Sequence, residues 1–213
     1  LEGIKKISSE RLLEEFKKLV KSEGFLKLAK EPVCLEIIKL IFPQLRNIEF
    51  FNNLNNFAKE KIKKMDLIFL LSLMIIDGSD NAEYFMYKFN LSNKDKKRIS
   101  FLNEFFFNKN DNKKFNQKNL QKIFYYNGKQ SLLDLLYFQI FKSKKNDTKL
   151  VNFIKLFKDM ETPLLPLRAI TLMTKYNIPE GKDLGAKLKR IEEKWVNNNF
   201  KISENEVQQI VNS

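Results

Sequence analysis

Apolar positions recur along this chain at the spacing of helices. Leu12, Leu13, Phe16, Leu19 and Val20 fall on one face of a 3.6-residue period. Ile7-Ser8-Ser9-Glu10 stand just before them. Ser8 is placed to cap that helix, Ile7 and Leu12 occupy hydrophobic-staple positions, and Gly24 is placed to end it. Residues 25–40 predict one or two helices, interrupted early by Pro32, which suits a first turn, and closed by Pro43. Helical patterns follow over 50–64 and 65–76, then the turn Asp77-Gly78-Ser79-Asp80. A helix over 82–89 leads to another over 94–107, capped by Leu91-Ser92-Asn93. Residues 108–116 read as a polar, lysine-rich loop, and helices over 120–126, 131–142 and 150–160 complete the middle. The stretch 142–149 is charged and lacks apolar periodicity, so it is the predicted linker. No segment alternates with the period of a strand, and no fixed-period repeat is present. The expected fold class is all-α, without a sheet.

The C-terminal part reads as helix, turn, helix. After Pro163 and Pro166, an apolar-periodic run covers 167–176. Asn177-Ile178-Pro179-Glu180-Gly181 interrupts it: Pro179 disfavours helix at Ile178, and Gly181 takes φ > 0 at no steric cost. A second helix starts near Lys182, with Leu184, Leu188, Ile191 and Trp195 on one stripe. Trp195 is therefore expected to pack this tail. Gly185 falls in the first turn, where glycine costs about 1 kcal/mol against alanine. Two readings explain it. One is close helix–helix packing. The other is a phosphate seat, built from free N–H groups, a positive helix end and a missing side chain. Lys182, Lys187, Lys189 and Arg190 surround that point. Residues 202–210 predict a last short helix, capped by Ser203.

Composition sharpens this picture. With 213 residues, 43% hydrophobic and 31% charged, the chain suffices for one or two domains with a real core. Its net charge is +13. A nucleic-acid partner accounts for that, and so does the overuse of Lys, Asn, Ile and Phe that AT-rich codons would produce. Cys34 is alone, which suits a reducing, cytoplasmic setting. There is no His, so the commonest metal ligand and general base are missing. The chain begins at Leu1 without a signal-peptide pattern and reads as a piece of something longer. The longest apolar run, 67–76, lies between Asp66 and Asp77; it is too short to span a bilayer, and no membrane partner is expected. Asp77 and Asp80 suit a turn rather than a metal site. Gly181 and Gly185 lack the spacing and the Ser/Thr of a phosphate-binding P-loop. Phe50-Phe51 and Phe105-Phe106-Phe107 serve either a core or an exposed apolar groove.

Several segments resemble one family. Pro166-Leu167, Leu172-Met173, Ile178-Pro179-Glu180-Gly181, Leu184-Gly185, Leu188-Lys189, Glu192 and Trp195 are similar to the tail of bacterial class II tRNA nucleotidyltransferases, the CCA-adding enzymes and their poly(A) polymerase relatives. Arg168-Ala169-Ile170-Thr171 departs from the family's frequent Gly-Lys-Asp-Leu. Ile7-Ser8-Ser9-Glu10-Arg11-Leu12-Leu13-Glu14 resembles the Ile-Ser-x-Glu-Arg-Ile-x-x-Glu segment of the family's neck, and Leu91-Ser92-Asn93 a segment of its body.

The resemblance implies an elongated multi-helix array: the end of the neck over 1–23, an RNA-binding body over 24–145 and a tail over 146–213. Its partner would be tRNA, held at the acceptor stem and elbow so that the 3′ end reaches the protein's own N-terminal catalytic head. That head would use Mg²⁺ with CTP and ATP. The family's Gly-Gly or Gly-Ser turn, Asp-x-Asp pair and Glu-Asp-x-x-Arg segment do not occur here. No catalytic residue, metal ligand or cofactor is therefore expected on this chain, and it should be inactive alone. Double-helical RNA is recognised mainly through backbone and 2′-OH geometry, which calls for a basic surface of fixed shape. The candidate RNA-binding residues are Lys94, Lys97, Arg98, Lys113, Lys114, Gly181, Lys182, Gly185, Lys187, Lys189 and Arg190. Poly(A) addition instead of CCA addition is the alternative within the family. A helical protein–protein adaptor, marked by an exposed apolar groove, is the alternative outside it.

Overall fold

A computed structural model describes residues 6–22, 24–107, 115–143 and 147–213. The protein is all-α, and no strand occurs among the described residues. The helices are α1 Ser9–Lys21, α2 Phe25–Leu28, α3 Pro32–Ile41, α4 Asn56–Lys61, α5 Leu67–Ile75, α6 Asn81–Lys88, α7 Asn93–Phe107, α8 Gln117–Lys142, α9 Thr148–Asp159, α10 Ala169–Tyr176, α11 Lys182–Asn197 and α12 Glu204–Val211. The 3₁₀ segments Ile48–Asn53 and Ile62–Lys64 flank α4. The chain packs as two compact units. One comprises Leu1–Asn110 with Leu133–Ile154, the other Asp111–Leu132 with Lys155–Ser213. Each unit draws on two separate stretches of the chain.

The first unit is built around α5. Its sequence Leu-Ile-Phe-Leu-Leu-Ser-Leu-Met-Ile is apolar on every face, and residues 69–75 are buried. Polar side chains close both ends of this helix. Asp66 accepts from the Phe69 N–H at 3.0 Å at its start. At its end, Asn47 donates to the Ile76 carbonyl at 2.7 Å, and Asn81 donates to those of Ile75 (2.7 Å) and Gln44 (2.8 Å). These amides satisfy the carbonyls that a helix C-terminus leaves open. A chain of rings extends the core: Phe16 meets Phe42 at 4.7 Å, Phe42 meets Phe89 at 5.6 Å, and Phe89 meets Phe85 at 4.6 Å. Ser8 caps α1 by accepting from the Arg11 N–H at 3.3 Å.

Two expectations are corrected here, and one is met. The single helix over 50–64 is two 3₁₀ turns around α4, because Asn55 caps a new helix by accepting from the Ala58 N–H at 2.8 Å. Its amide also donates to the carbonyls of Ile140 and Ser143, fixing that break in place. The two helices expected over 120–126 and 131–142 are present within α8, divided where the backbone leaves the helical conformation at Gly128 (φ 82°, ψ 163°). Lys142, assigned to a linker, is packed. Its ammonium lies 5.2 Å from the centre of the Phe50 ring and 5.5 Å from that of Phe138. Burial pushes its pKa down, and the charge of Asp77 offsets only part of that. Residues 144–146 of the proposed linker lie outside the described residues.

The second unit holds the tail. Leu172, Ile178, Leu184, Ile191, Val207 and Val211 form its buried core, drawn from α10, the following turn, α11 and α12. Ser203 and Glu206 form a capping box at the start of α12. An aromatic cluster packs beside these helices: Trp195 stands edge-on to Tyr125 at 5.4 Å and to Phe200 at 5.0 Å. Phe200 adopts φ 59°, unusual for a bulky side chain, while its N–H donates to the Trp195 carbonyl at 2.9 Å. Trp195 is 3% exposed, as its place on the apolar stripe predicts.

Candidate nucleic-acid interface

The start of α11 is positioned by buried residues on both sides of it. α10 ends at Asn177, which takes the left-handed conformation (φ 53°, ψ 34°). Ile178 then turns into the tail core, and Leu184 anchors the first turn of α11 from the other side. Gly181 between them has φ 157° and ψ −168°, a conformation that L side chains rarely adopt. The first helical bond is donated by the Gly185 N–H to the Gly181 carbonyl at 3.2 Å. Among the described residues, no hydrogen bond is made by the N–H groups of Lys182, Asp183 or Leu184, and Gly181 has no side chain to cap them. Such a helix end carries partial positive charge.

Gly185 is exposed, and among the described residues no atom of another segment lies within 4 Å of where its Cβ would stand. Close helix–helix packing, one of the two readings of this glycine, therefore has no counterpart among the described residues. Lys182, Lys189 and Arg190 are exposed, and no ion pair engages them among the described residues. The carboxylate of Asp183 opposes an anion at this end; it lies 3.7 Å from Lys187.

The other candidates separate into distinct groups. Lys187 is committed within the tail. Its ammonium donates to the Val211 carbonyl at 2.6 Å, so it closes the C-terminus of α12 and has little surface to offer. Arg98 is also withdrawn from the surface. Its guanidinium holds both oxygens of Asp134, with Nη2 to Oδ1 at 2.8 Å, and reaches Asp66 at 2.6 Å. Asp134 is 2% exposed. Burial disfavours the charge on Arg98, but the hydrogen bonds from Asp134 and then Asp66 outweigh it and raise its pKa. Arg98 is thus an internal clamp joining α5, α7 and α8. Lys94 and Lys97, three apart on α7, are exposed and face solvent. Lys113 and Lys114 lie outside the described residues.

The acidic turn is equally occupied. Asp77 accepts from the Ser79 N–H at 3.0 Å and its hydroxyl at 2.6 Å, and pairs with Arg46 at 2.9 Å. Among the described residues no group of three or more Asp, Glu or Cys side chains is gathered to hold a metal ion. Nor is any helix among them long and apolar enough to cross a membrane. Tyr84 and Tyr87 were not singled out by the sequence reading, yet both are exposed on α6. Their spacing of three, out of phase with buried Phe85 and Phe89, is the signal that marks them.

No protein-family model and no curated protein matches this chain.

Proposed function

We propose that this chain is the tRNA-binding helical part of a CCA-adding tRNA nucleotidyltransferase, holding the acceptor stem and elbow for a catalytic head supplied outside these residues. The observation that carries the reading is Gly185. A first-turn glycine costs about 1 kcal/mol of helix stability, and no neighbouring atom among the described residues requires it. What it leaves is room beside uncapped N–H groups and three exposed cationic side chains, Lys182, Lys189 and Arg190. That combination suits a phosphate of the RNA backbone. The net charge of +13 supports the same class of partner. Poly(A) addition would use an interface of the same kind.

Two substitutions test the reading in a tRNA-binding titration. Lys182→Ala should weaken binding modestly and reduce the slope of log affinity against log salt by about one unit. Gly185→Val should lower affinity while the protein stays folded, because the added side chain meets open space. Unchanged affinity and salt slope in both variants would overturn the reading. The result would then favour a protein-docking adaptor, for which α3 supplies the relevant observation: Val33, Ile37 and Leu40 stand exposed at i, i+4 and i+7.

A further inference from the structure

Within the first unit, α6 and α7 form an antiparallel helical hairpin. Its closed end is sharply made. The Leu91 N–H donates to the Met86 carbonyl at 3.2 Å, and Asn90 between the helices takes φ 45°. Ser92 caps α7, accepting from the Asp95 N–H at 3.2 Å and donating to the Asp95 carboxylate at 2.7 Å. Cross-contacts set the register: Asn103 reaches Glu83 at 3.4 Å, and Ser100 reaches the Met86 sulfur at 3.9 Å. Tyr87 and Lys88 are therefore level with the second turn of α7, beside Lys97 and one turn from Lys94.

The buried face of α6 is Asn81, Ala82, Phe85 and Met86. Tyr84 and Tyr87 are left on its outer face, 53% and 82% exposed. A single exposed aromatic residue would call for no explanation. Here two share one helix face, Tyr87 toward the end of the hairpin that carries unpaired lysines and Tyr84 one turn back from it. Asp95 is engaged by Ser92 and Arg98 by Asp134, so the end presents Lys94 and Lys97 as cations without an acidic partner among the described residues. Aromatic faces interleaved with free lysines are the chemistry that holds unpaired nucleotides: bases stack on the rings, and the backbone follows the charge.

We infer that Tyr84 and Tyr87 form a stacking platform for unpaired bases of a bound RNA, with Lys94 and Lys97 holding the flanking phosphates. The inference rests on the RNA-binding reading and adds the class of nucleotide recognised. Duplex regions would be held elsewhere by backbone contacts, since paired bases offer no face to stack on.

Binding of the full chain is measured by fluorescence anisotropy to three labelled RNAs: an oligouridine of about 12 nucleotides, a blunt duplex of similar length, and a tRNA lacking its 3′ end. Variants are Tyr84→Ala/Tyr87→Ala, Tyr84→Phe/Tyr87→Phe and Lys94→Ala/Lys97→Ala, with melting curves confirming that each folds. The double alanine variant should lose at least about fivefold in oligouridine affinity for each base that stacks, and keep its duplex affinity. The phenylalanine variant should retain oligouridine binding, because the ring face is what matters. The lysine variant should weaken oligouridine binding and flatten its salt dependence. An equal loss on oligouridine and duplex, no loss on either, or no binding of oligouridine by the unaltered chain would overturn the inference. If tRNA binding persists and still depends on Lys182 when the tyrosines prove neutral, the platform falls and the broader reading stands. Tyrosine-dependent oligouridine binding without tRNA binding supports the platform and overturns the tRNA reading.

Discussion

The Tyr125 hydroxyl donates to the Glu192 carboxylate at 2.6 Å, while the Tyr125 ring lies edge-on to Trp195. Glu192 and Trp195 are three residues apart on α11, so one turn of that helix grips one tyrosine of α8 at both its polar and its apolar part. The Glu-x-x-Trp spacing of the tail thus has a structural task, which is to bind Tyr125. Burial first, then the hydrogen bond to Glu192 and its negative charge, pushes the Tyr125 pKa up to about 12. An unfolded tyrosine titrates near 10. A pKa raised on folding contributes stability that is fully present below about pH 10 and lost as pH rises through about 12. The stability of the native chain should therefore fall across that window. Glu192→Gln should shrink the fall and bring the Tyr125 phenolate absorbance in at lower pH. Identical phenolate titrations in the two proteins would contradict the assignment.

Trp195 is expected to be structural and insulated from RNA. Its removal deletes the centre of the Tyr125–Trp195–Phe200 cluster, so Trp195→Ala should cost roughly 3–5 kcal/mol in chemical denaturation. In the native chain its emission should be blue-shifted and nearly unchanged by tRNA. Strong quenching by tRNA, together with unaltered stability of the variant, would transfer Trp195 to the binding surface.

Arg98 and Lys97 are neighbours in sequence with opposite expected phenotypes. Arg98→Ala leaves the buried Asp134 carboxylate without its guanidinium and should cost about 3–5 kcal/mol. Arg98→Lys should rescue little, since a lysine cannot hold both oxygens in the same plane. The clamp also has a pH signature. Burial opposes the charge on Asp66, but hydrogen bonds from Arg98 and the Phe69 N–H outweigh it and hold its pKa below the usual 3.8. A carboxylate depressed on folding stabilises above about pH 4, and that stability is lost as pH falls through the lowered folded value. The stability difference between the native chain and Arg98→Ala should therefore narrow as pH falls through that lowered value. Lys97→Ala, by contrast, should leave the unfolding midpoint unmoved.

Sequence by itself determined the all-α class and the positions of most helix starts and stops, because those are local matters. Ser8 and Ser203 lie beside the amides they cap, and the break at 177–181 follows from Pro179 and Gly181 themselves. The burial of Trp195 was legible for the same reason, since a 3.6-residue stripe places it with Leu184 and Ile191. The functional surface was much less legible. Within Lys94-Asp95-Lys96-Lys97-Arg98 nothing local distinguishes the arginine that is taken inward, because its partners Asp66 and Asp134 stand 32 and 36 positions away. Lys187 looked equivalent to Lys189 until folding brought the Val211 carbonyl, 24 positions on, to its ammonium. Gly185 kept two readings in sequence, and only tertiary packing could remove one: whether a glycine is crowded depends on which atoms other segments bring near it, and here they bring none within 4 Å.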